Sequence, residues 1–104
     1  MTDPRAELAQ HAELDRDTVA AIAERLDAMD RSRRWTREAL RLIADNEGIG
    51  PVELAERLDR EIVRLKTDVR RLKALGLTER LEVGYRITTR GVAFLAAEAT
   101  AKSS

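Results

Sequence analysis

The sequence predicts a mainly α-helical fold with one small β-hairpin. Apolar residues recur at spacings of three and four along most of the chain, as expected for helices that bury one side. Only residues 78–88 change period, and a loop containing a glycine can join two short strands there. The 104 residues, 43% of them hydrophobic, suffice for one domain, residues 1–104, with a small core.

An N-terminal helical segment is predicted within residues 1–30. Asp15 or Asp17 suits the N-cap of its main helix. Asp3-Pro4 could begin a shorter helix before it, with proline at the first helical position. Residues 30–34 are highly charged and fit either a break or a continuous helical junction. The apolar stripe of the main helix consists of Val19, Ile22, Leu26 and Met29.

Three further helices are predicted between residues 35 and 76. Gly48 suits a left-handed C-cap for the first, and Pro51 suits the first position of the second. Asp59 can cap the third, which Gly76 ends. The stripes are Trp35, Ala39, Leu42 and Ile43 in the first, Leu54, Ala55 and Leu58 in the second, and Ile62, Leu65, Val69 and Leu72 in the third.

The register of the hairpin depends on the length of its loop. A three-residue loop at 83–85 places Leu81 opposite Ile87 and Glu82 opposite Arg86, an attractive pair across the strands. A two-residue loop would instead pair Leu81 with Arg86, which is less favourable. We therefore expect the three-residue loop, with Tyr85 near its tip.

A C-terminal helix is predicted over residues 89–101, with Thr88 or Thr89 as its cap. Its apolar side would carry Val92, Leu95, Ala96 and Ala99. Residues 35–88 then contain three helices followed by a hairpin, which is the order of a winged helix-turn-helix. The predicted fold is that motif with an extra helix at each end.

Residues 54–77 resemble the helix-turn-helix of the bacterial MarR, ArsR and PadR regulators. LAERL at residues 54–58 is similar to their LAxxL, and RRLKALGL at 70–77 is similar to their RRLxxLGL, at the usual distance. ITTRG at residues 87–91 resembles their LTxxG step from wing to helix. The resemblance covers about residues 35–95 and implies DNA binding. The turn departs from the pattern: Asp59 and Arg60 stand where a glycine and an apolar residue are usual, and Ile62 could supply the core contact instead.

The formal net charge is zero, but the charges are unevenly distributed. Residues 1–30 carry three basic and eight acidic side chains, a net of −5, which leaves +5 on residues 31–104. Such asymmetry is typical of a basic binding surface beside an acidic segment.

The helix at about residues 60–75 is the predicted DNA-reading element. The side opposite its apolar stripe carries Arg60, Val63, Arg64, Thr67 and Arg71, with Arg70 at the edge. Arginine can donate two hydrogen bonds to guanine and threonine can touch the thymine methyl group. The residues nearest the N-terminus usually reach the bases, so these are predicted to be Arg60, Val63, Arg64 and Thr67, with Arg70 and Arg71 on phosphates.

The predicted wing offers Arg80, Arg86 and Arg90, of which we expect Arg86 to contact phosphate. Alternatively, Arg86 only pairs with Glu82 while Tyr85 packs on the domain. The arginine-rich side of the predicted reading helix also has an alternative interpretation, as an ordinary solvated face that contacts no DNA. Glu61 and Asp68 favour this alternative because both would repel phosphate.

Catalytic and metal-binding chemistry is not indicated. The chain has no cysteine, and its one histidine, His11, cannot by itself form a zinc site, so we expect no enzyme, metal or cofactor. Trp35 is predicted to be a core residue whose indole N–H needs an acceptor. No apolar run approaches a membrane span and no signal-peptide pattern is present, which favours the cytoplasm.

Sequence-specific binding of double-stranded DNA by a transcription regulator is therefore the predicted function. A homodimer is expected, because one reading helix covers few base pairs. Its predicted interface consists of Val19, Ile22, Leu26, Met29, Val92 and Leu95. In the alternative, these helices fold back on Trp35 and the core. The competing function is a winged-helix module that binds protein rather than DNA, which the acidic first 30 residues favour.

Overall fold

The structure, a computed structural model, describes residues 14–31 and 34–103. Within these ranges it has five helices and one two-stranded antiparallel hairpin, which confirms the mainly helical prediction. The elements are α1 (Arg16–Met29), α2 (Trp35–Asp45), α3 (Pro51–Leu58), α4 (Ile62–Ala74), β1 (Thr78–Arg80), β2 (Tyr85–Ile87) and α5 (Thr89–Ser103). The helix predicted to begin at Asp3-Pro4 lies outside the described residues, as does His11.

The core is organised around α2, which contacts α1, α3, β2 and α5. Trp35 begins this helix and is 2% exposed, as predicted for a core residue. Its indole Nε1 donates to the backbone oxygen of Met29, 3.2 Å away, and so meets the expected need for an acceptor. None of the helices in the described ranges is both long and apolar enough to span a membrane.

Asp15 and Asp30 fix the ends of the first two helices. Asp15 caps α1 by accepting a 2.7 Å hydrogen bond from the Thr18 backbone nitrogen, which decides between the two predicted caps. The Asp30 carboxylate accepts from the Thr36 backbone nitrogen at 3.0 Å and from its hydroxyl at 2.6 Å. Asp30 therefore ties the start of α2 to the end of α1, and it ends α1 as its C-cap, so the helix of α1 does not continue into α2.

Arg37 joins the two terminal helices to the core. Its guanidinium lies 2.9 Å from an Asp27 carboxylate oxygen on α1 and 2.7 Å from Glu98 on α5. A further contact of 3.4 Å reaches Asp30. The hydrogen bond and charge of Glu98 raise the pKa of Arg37 above its ordinary value, against the effect of burial. An ion network of this kind holds α1 and α5 at fixed positions around α2.

The turn between α3 and α4 departs from the prediction. Asp59 was expected to cap α4, but it adopts a left-handed conformation at φ 53° and ends α3 instead. The Arg60 nitrogen then donates to the Ala55 oxygen at 2.9 Å, which closes the last turn of α3. Glu61 is the cap of α4, accepting from the nitrogens of Val63 and Arg64, each at 3.0 Å. The helix therefore begins at Ile62, which is half-buried, and not at residue 60.

The predicted hairpin register is wrong by three residues on the first strand. Ile87 pairs with Thr78 rather than Leu81, and Arg86 pairs with Glu79 rather than Glu82. Residues 81–84 form the loop, which closes where Leu81 donates to the Gly84 oxygen at 2.8 Å.

The register follows from a close backbone approach at Gly84. This glycine has φ 94°, and a Cβ atom there would overlap the backbone of Gly48. The approach lets β2 pair on its other edge, where Tyr85 donates to the Ile49 oxygen at 2.9 Å and accepts from Gly48 at 2.8 Å. Gly48 has the positive φ that was predicted, but it is not the C-cap of α2, which is Asn46. Its backbone instead pairs with Tyr85 of β2. Tyr85 is consequently a buried strand residue and not part of the hairpin tip.

The buried side of α5 also differs from the predicted stripe. Phe94 is fully buried, whereas Val92 is 52% exposed, and Ala96 and Ala99 are exposed. The reason is Gly91, at which a Cβ atom would overlap the backbone oxygen of Leu77, so this side of α5 lies against the chain before β1.

Thr88, one of the two predicted caps, fixes the start of α5. Its hydroxyl accepts from the Gly91 nitrogen at 3.0 Å and donates to the Gly76 oxygen at 2.6 Å. The cap therefore also links α5 to the residue that ends α4.

Most of the predicted dimer interface is already buried inside one chain. Ile22 and Leu26 belong to the core, and Val19 and Met29 are half-buried against it. For α1, the alternative that it folds back on the core is therefore correct. The homodimer itself stays a prediction. The predicted interface residues on α5 keep accessible surface, since Val92 is exposed and Leu95 is half-buried.

We predict that Leu26→Ala lowers the free energy of unfolding by about 2–5 kcal/mol, because it leaves a cavity at a fully buried position. Val92→Ala is the matched control, and we expect it to change the same quantity by less than about 0.5 kcal/mol. Urea unfolding followed by circular dichroism measures both. A Leu26→Ala protein that kept its stability while its mass in sedimentation fell by half would restore α1 as a dimer surface.

A second prediction concerns the left-handed residue of the turn. Asp59→Gly should raise the free energy of unfolding by about 0.5–1 kcal/mol, because glycine adopts positive φ without a steric cost. Glu56→Gly, an exposed position inside α3, is the control and should lower it by about 0.5–1 kcal/mol. Lower stability of Asp59→Gly would mean that the Asp59 side chain stabilises the turn.

Candidate functional site

The orientation of α4 follows from the residues that it buries. Leu65, Val69 and Leu72 face the core as predicted, and Asp68 is buried between them at 5% exposure. The helix packs on α3 and β1. Its opposite side is therefore exposed, and we call this surface the α4 face: Val63, Arg64, Lys66, Thr67, Arg70, Arg71 and Lys73.

All the charged side chains of the α4 face are basic. Its five cations are all exposed, and within the described part of the chain none of them forms an ion pair. Asp68 is the one carboxylate in the sequence of α4, and it lies on the buried side. The exposed surface of this helix consequently carries positive charge without any negative charge of its own.

Arg60 accounts for the buried position of Asp68. Its Nη2 lies 2.6 Å from a carboxylate oxygen of Asp68, and its guanidinium stacks over the Trp35 ring at 4.3 Å from the centroid. The prediction that Arg60 reads bases from the outer side of the helix is therefore wrong. Arg60 precedes the helix, so the 100° spacing does not apply to it, and its side chain turns inward to the tryptophan.

The two acidic residues that argued against phosphate binding have different positions. Asp68 is buried and paired with Arg60, so its charge does not reach the α4 face. Glu61 is exposed at the N-terminal tip, where its carboxylate caps the helix. Hydrogen bonds from the Val63 and Arg64 nitrogens, and to a lesser extent the Arg64 charge, hold the pKa of Glu61 below its ordinary value. The Glu61 carboxylate therefore stays negative near neutral pH, and both of its oxygens accept hydrogen bonds from the first turn of the helix.

A groove separates α4 from the hairpin. It has a volume of about 440 Å³. Lys66, Arg70 and Lys73 form the wall on α4, and Arg80 extends from β1 on the other side. The remaining lining residues are Pro51, Val69, Thr78, Glu79, Gly84 and Tyr85.

The sequence interpretation included only Arg70 of these four cations among its site residues. Lys66 and Lys73 lie four and three residues from Arg70, beside the buried stripe, so helical spacing could have grouped them. The position of Arg80 depends on the strand register, which was predicted wrongly from the sequence.

Tyr85 lines the groove and pairs with Arg80 across the hairpin. Burial raises the pKa of its phenol above the ordinary value, while the charges of Arg80 and Arg70 act in the opposite direction. The charges of one arginine on the strand and one on the helix therefore both act on the Tyr85 phenol.

The other two cations of the hairpin region have partners. Arg86 forms an ion pair with Glu79 beside the groove, not with Glu82, and its side chain remains 46% exposed. Arg90 donates from Nε to the Leu75 oxygen at 2.9 Å, so it closes the end of α4. Of the two, Arg86 alone keeps substantial exposed surface for another contact.

The predicted base-reading residues that remain are Val63, Arg64 and Thr67. Val63 is 67% exposed, and Arg64 and Thr67 are exposed beside it. The Thr67 hydroxyl donates to the Val63 oxygen at 3.2 Å. Its methyl group is thereby left as the part that can make an outward apolar contact.

Comparison with protein-family models, with curated proteins and with solved structures gives no match to this chain. Its function has to be inferred from the geometry and charge of the α4 face and of the groove beside it.

We predict that Asp68→Ala lowers the free energy of unfolding by about 3 kcal/mol, because it leaves the half-buried Arg60 guanidinium without its carboxylate. Asp68→Asn keeps an acceptor and should cost less. Chemical denaturation of Asp68→Ala, Arg60→Ala and the double variant forms a mutant cycle, in which we expect the double variant to lose less than the sum of the two. Strict additivity would contradict a direct interaction.

Proposed function

We propose that this protein is a winged helix-turn-helix regulator of transcription that binds double-stranded DNA sequence-specifically, with α4 in the major groove. The observation that carries the proposal is the α4 face, with five exposed cations that lack ion pairs in the described structure and no exposed carboxylate within the helix. DNA binding proteins neutralise phosphates with such surfaces.

The order of elements supports the same proposal. Helices α2, α3 and α4 are followed by β1 and β2, with α3 and α4 joined by residues 59–61. Ile49, between α2 and α3, pairs with β2 and so extends the hairpin by one short bridge. In this interpretation α4 is the recognition helix and the hairpin is the wing.

Each exposed residue of α4 then has a role set by its position. Arg64 lies in the first turn, where a recognition helix reaches base edges, and can donate two hydrogen bonds to guanine. Val63 and the methyl group of Thr67 offer apolar contact to thymine. Arg70, Arg71 and the exposed Arg86 are placed for phosphates.

The dimer and the cytoplasmic location belong to this proposal. One recognition helix reads only a few base pairs, and a two-fold dimer would engage two half-sites about 34 Å apart. Val92 and Leu95 on α5 are the candidate contact residues. The DNA of the bacterial regulators that the motifs resemble lies in the cytoplasm, where we expect this protein too.

The decisive experiment is selection of bound sequences from random duplex DNA at low salt, followed by fluorescence anisotropy on the selected site. Arg64→Ala should weaken binding by about 1–3 kcal/mol, which is roughly 5- to 150-fold, through loss of a base contact. Arg25→Ala, which removes an exposed arginine from α1, is the charge-matched control and should bind as the parent does.

Two results would count against the proposal. If the parent protein binds no duplex at low salt, the module that binds protein through its acidic N-terminal part becomes the better interpretation. If Arg64→Ala and Arg25→Ala weaken binding equally, the effect is one of net charge, and α4 is not the reading element.

A further inference from the structure

The groove between α4 and the hairpin has an excess of positive charge. Four cations line it, three from α4 and Arg80 from β1. The one carboxylate among its lining residues, Glu79, is paired with Arg86. Because cations approach from two sides, a small anion in the groove would be contacted on both.

The lining also contains a hydroxyl that lacks a partner. Thr78 is 2% exposed, and its Oγ1 has no hydrogen-bond partner in the described structure. A buried hydroxyl without a partner costs free energy, and native proteins keep few of them. Thr78 is one of the lining residues, as is Tyr85, and its unpaired hydroxyl is a buried donor that an anion in the groove could engage.

The size and charge of the groove define the class of ligand. A volume of about 440 Å³ lies in the range of small-molecule sites. Four cations against a single, already paired carboxylate favour a multiply charged anion such as a phosphate monoester or a diphosphate over a monocarboxylate. Pro51 and Val69 offer apolar contact for the rest of such a molecule.

We propose that this groove binds a small phosphate-bearing molecule, held by Arg80 and Thr78 on the hairpin side and by Lys66, Arg70 and Lys73 on α4. The binding site itself depends only on the groove. Its consequence depends on the proposed function: three of these cations belong to the α4 face, so the bound anion would compete with DNA.

Pyrophosphate is a suitable probe, because it carries the charge of two phosphates without any further group. Titration of the ¹⁵N-labelled full chain with pyrophosphate should give saturable amide shifts at Val69, Thr78, Gly84 and Tyr85. Sodium chloride at matched ionic strength is the control. Shifts that are the same with both salts, or that spread over all exposed arginines, would mean ionic screening only and would overturn the proposal.

Two variants test the residues of the hairpin side. Thr78→Val removes the hydroxyl at nearly constant volume, and Arg80→Gln removes the exposed charge of β1. Each should weaken pyrophosphate binding about tenfold, the effect of one lost hydrogen bond to a charged group. Arg25→Gln on α1 should bind as the parent does.

The two variants also protect the test against a folding defect. Arg80 is exposed, so its substitution leaves the core intact and gives a result even if Thr78→Val does not fold. An Arg80→Gln protein that binds pyrophosphate with the parent affinity would overturn the site, whether or not Thr78→Val folds.

A parallel titration with duplex DNA separates this proposal from the proposed function. Pyrophosphate that binds in the groove while no duplex binds would support the small-molecule site and contradict DNA binding. Duplex DNA that shifts the groove amides while pyrophosphate does not would assign the groove to the DNA strand alone and overturn the small-molecule site.

Discussion

The contact of Arg60 with both Trp35 and Asp68 determines how α4 presents its surface. The Trp35 indole is buried in the core and hydrogen-bonded to the backbone at the end of α1. The Arg60 guanidinium that stacks on it therefore has a defined position. Asp68 pairs with that guanidinium on the buried side of α4, and together with the buried Leu65 and Leu72 it fixes the rotation of the helix about its axis. Leu65 and Leu72 are buried by the same rotation, and the cations are left outside. One ion pair thus removes the only negative charge of α4 from its exposed surface.

Two glycines place the hairpin against this helix. Gly84 allows the loop to touch the backbone at Gly48, and Gly91 allows α5 to approach Leu77. Between these approaches β2 is paired on both edges, with β1 and with Ile49. Arg80 is thereby directed toward the cations of α4, and the groove results from these backbone contacts rather than from any local preference of the strands.

The predictable part of the structure is the part controlled by local chemistry. Apolar spacing gave α1 to α4, Pro51 marked the start of α3, and Gly76 the end of α4. The errors lie where distant segments meet. A helical projection that began at residue 60 put Arg60 on the outer side, although a core tryptophan attracts it. The strand register and the phase of α5 depend on backbone approaches at Gly84 and Gly91, which periodicity does not contain. The groove was missed for the same reason, since Arg80 joins Lys66 and Lys73 only in three dimensions.

The stability of α4 does not by itself explain its charges. In the neighbouring α3, Arg57 is balanced by Glu53 four residues earlier, at 3.2 Å, as is usual for a solvated helix surface. In α4, Lys66 and Arg70 stand four apart with the same sign, an arrangement that destabilises a helix. The macrodipole favours cations only at the C-terminal end, which suits Arg71 and Lys73 but not Arg64, beside the N-terminus. An ordinary solvated face would carry mixed charges, as α3 does. Lys66 and Arg70, which neither preference explains, fit an anionic partner better than they fit the stability of the helix that carries them.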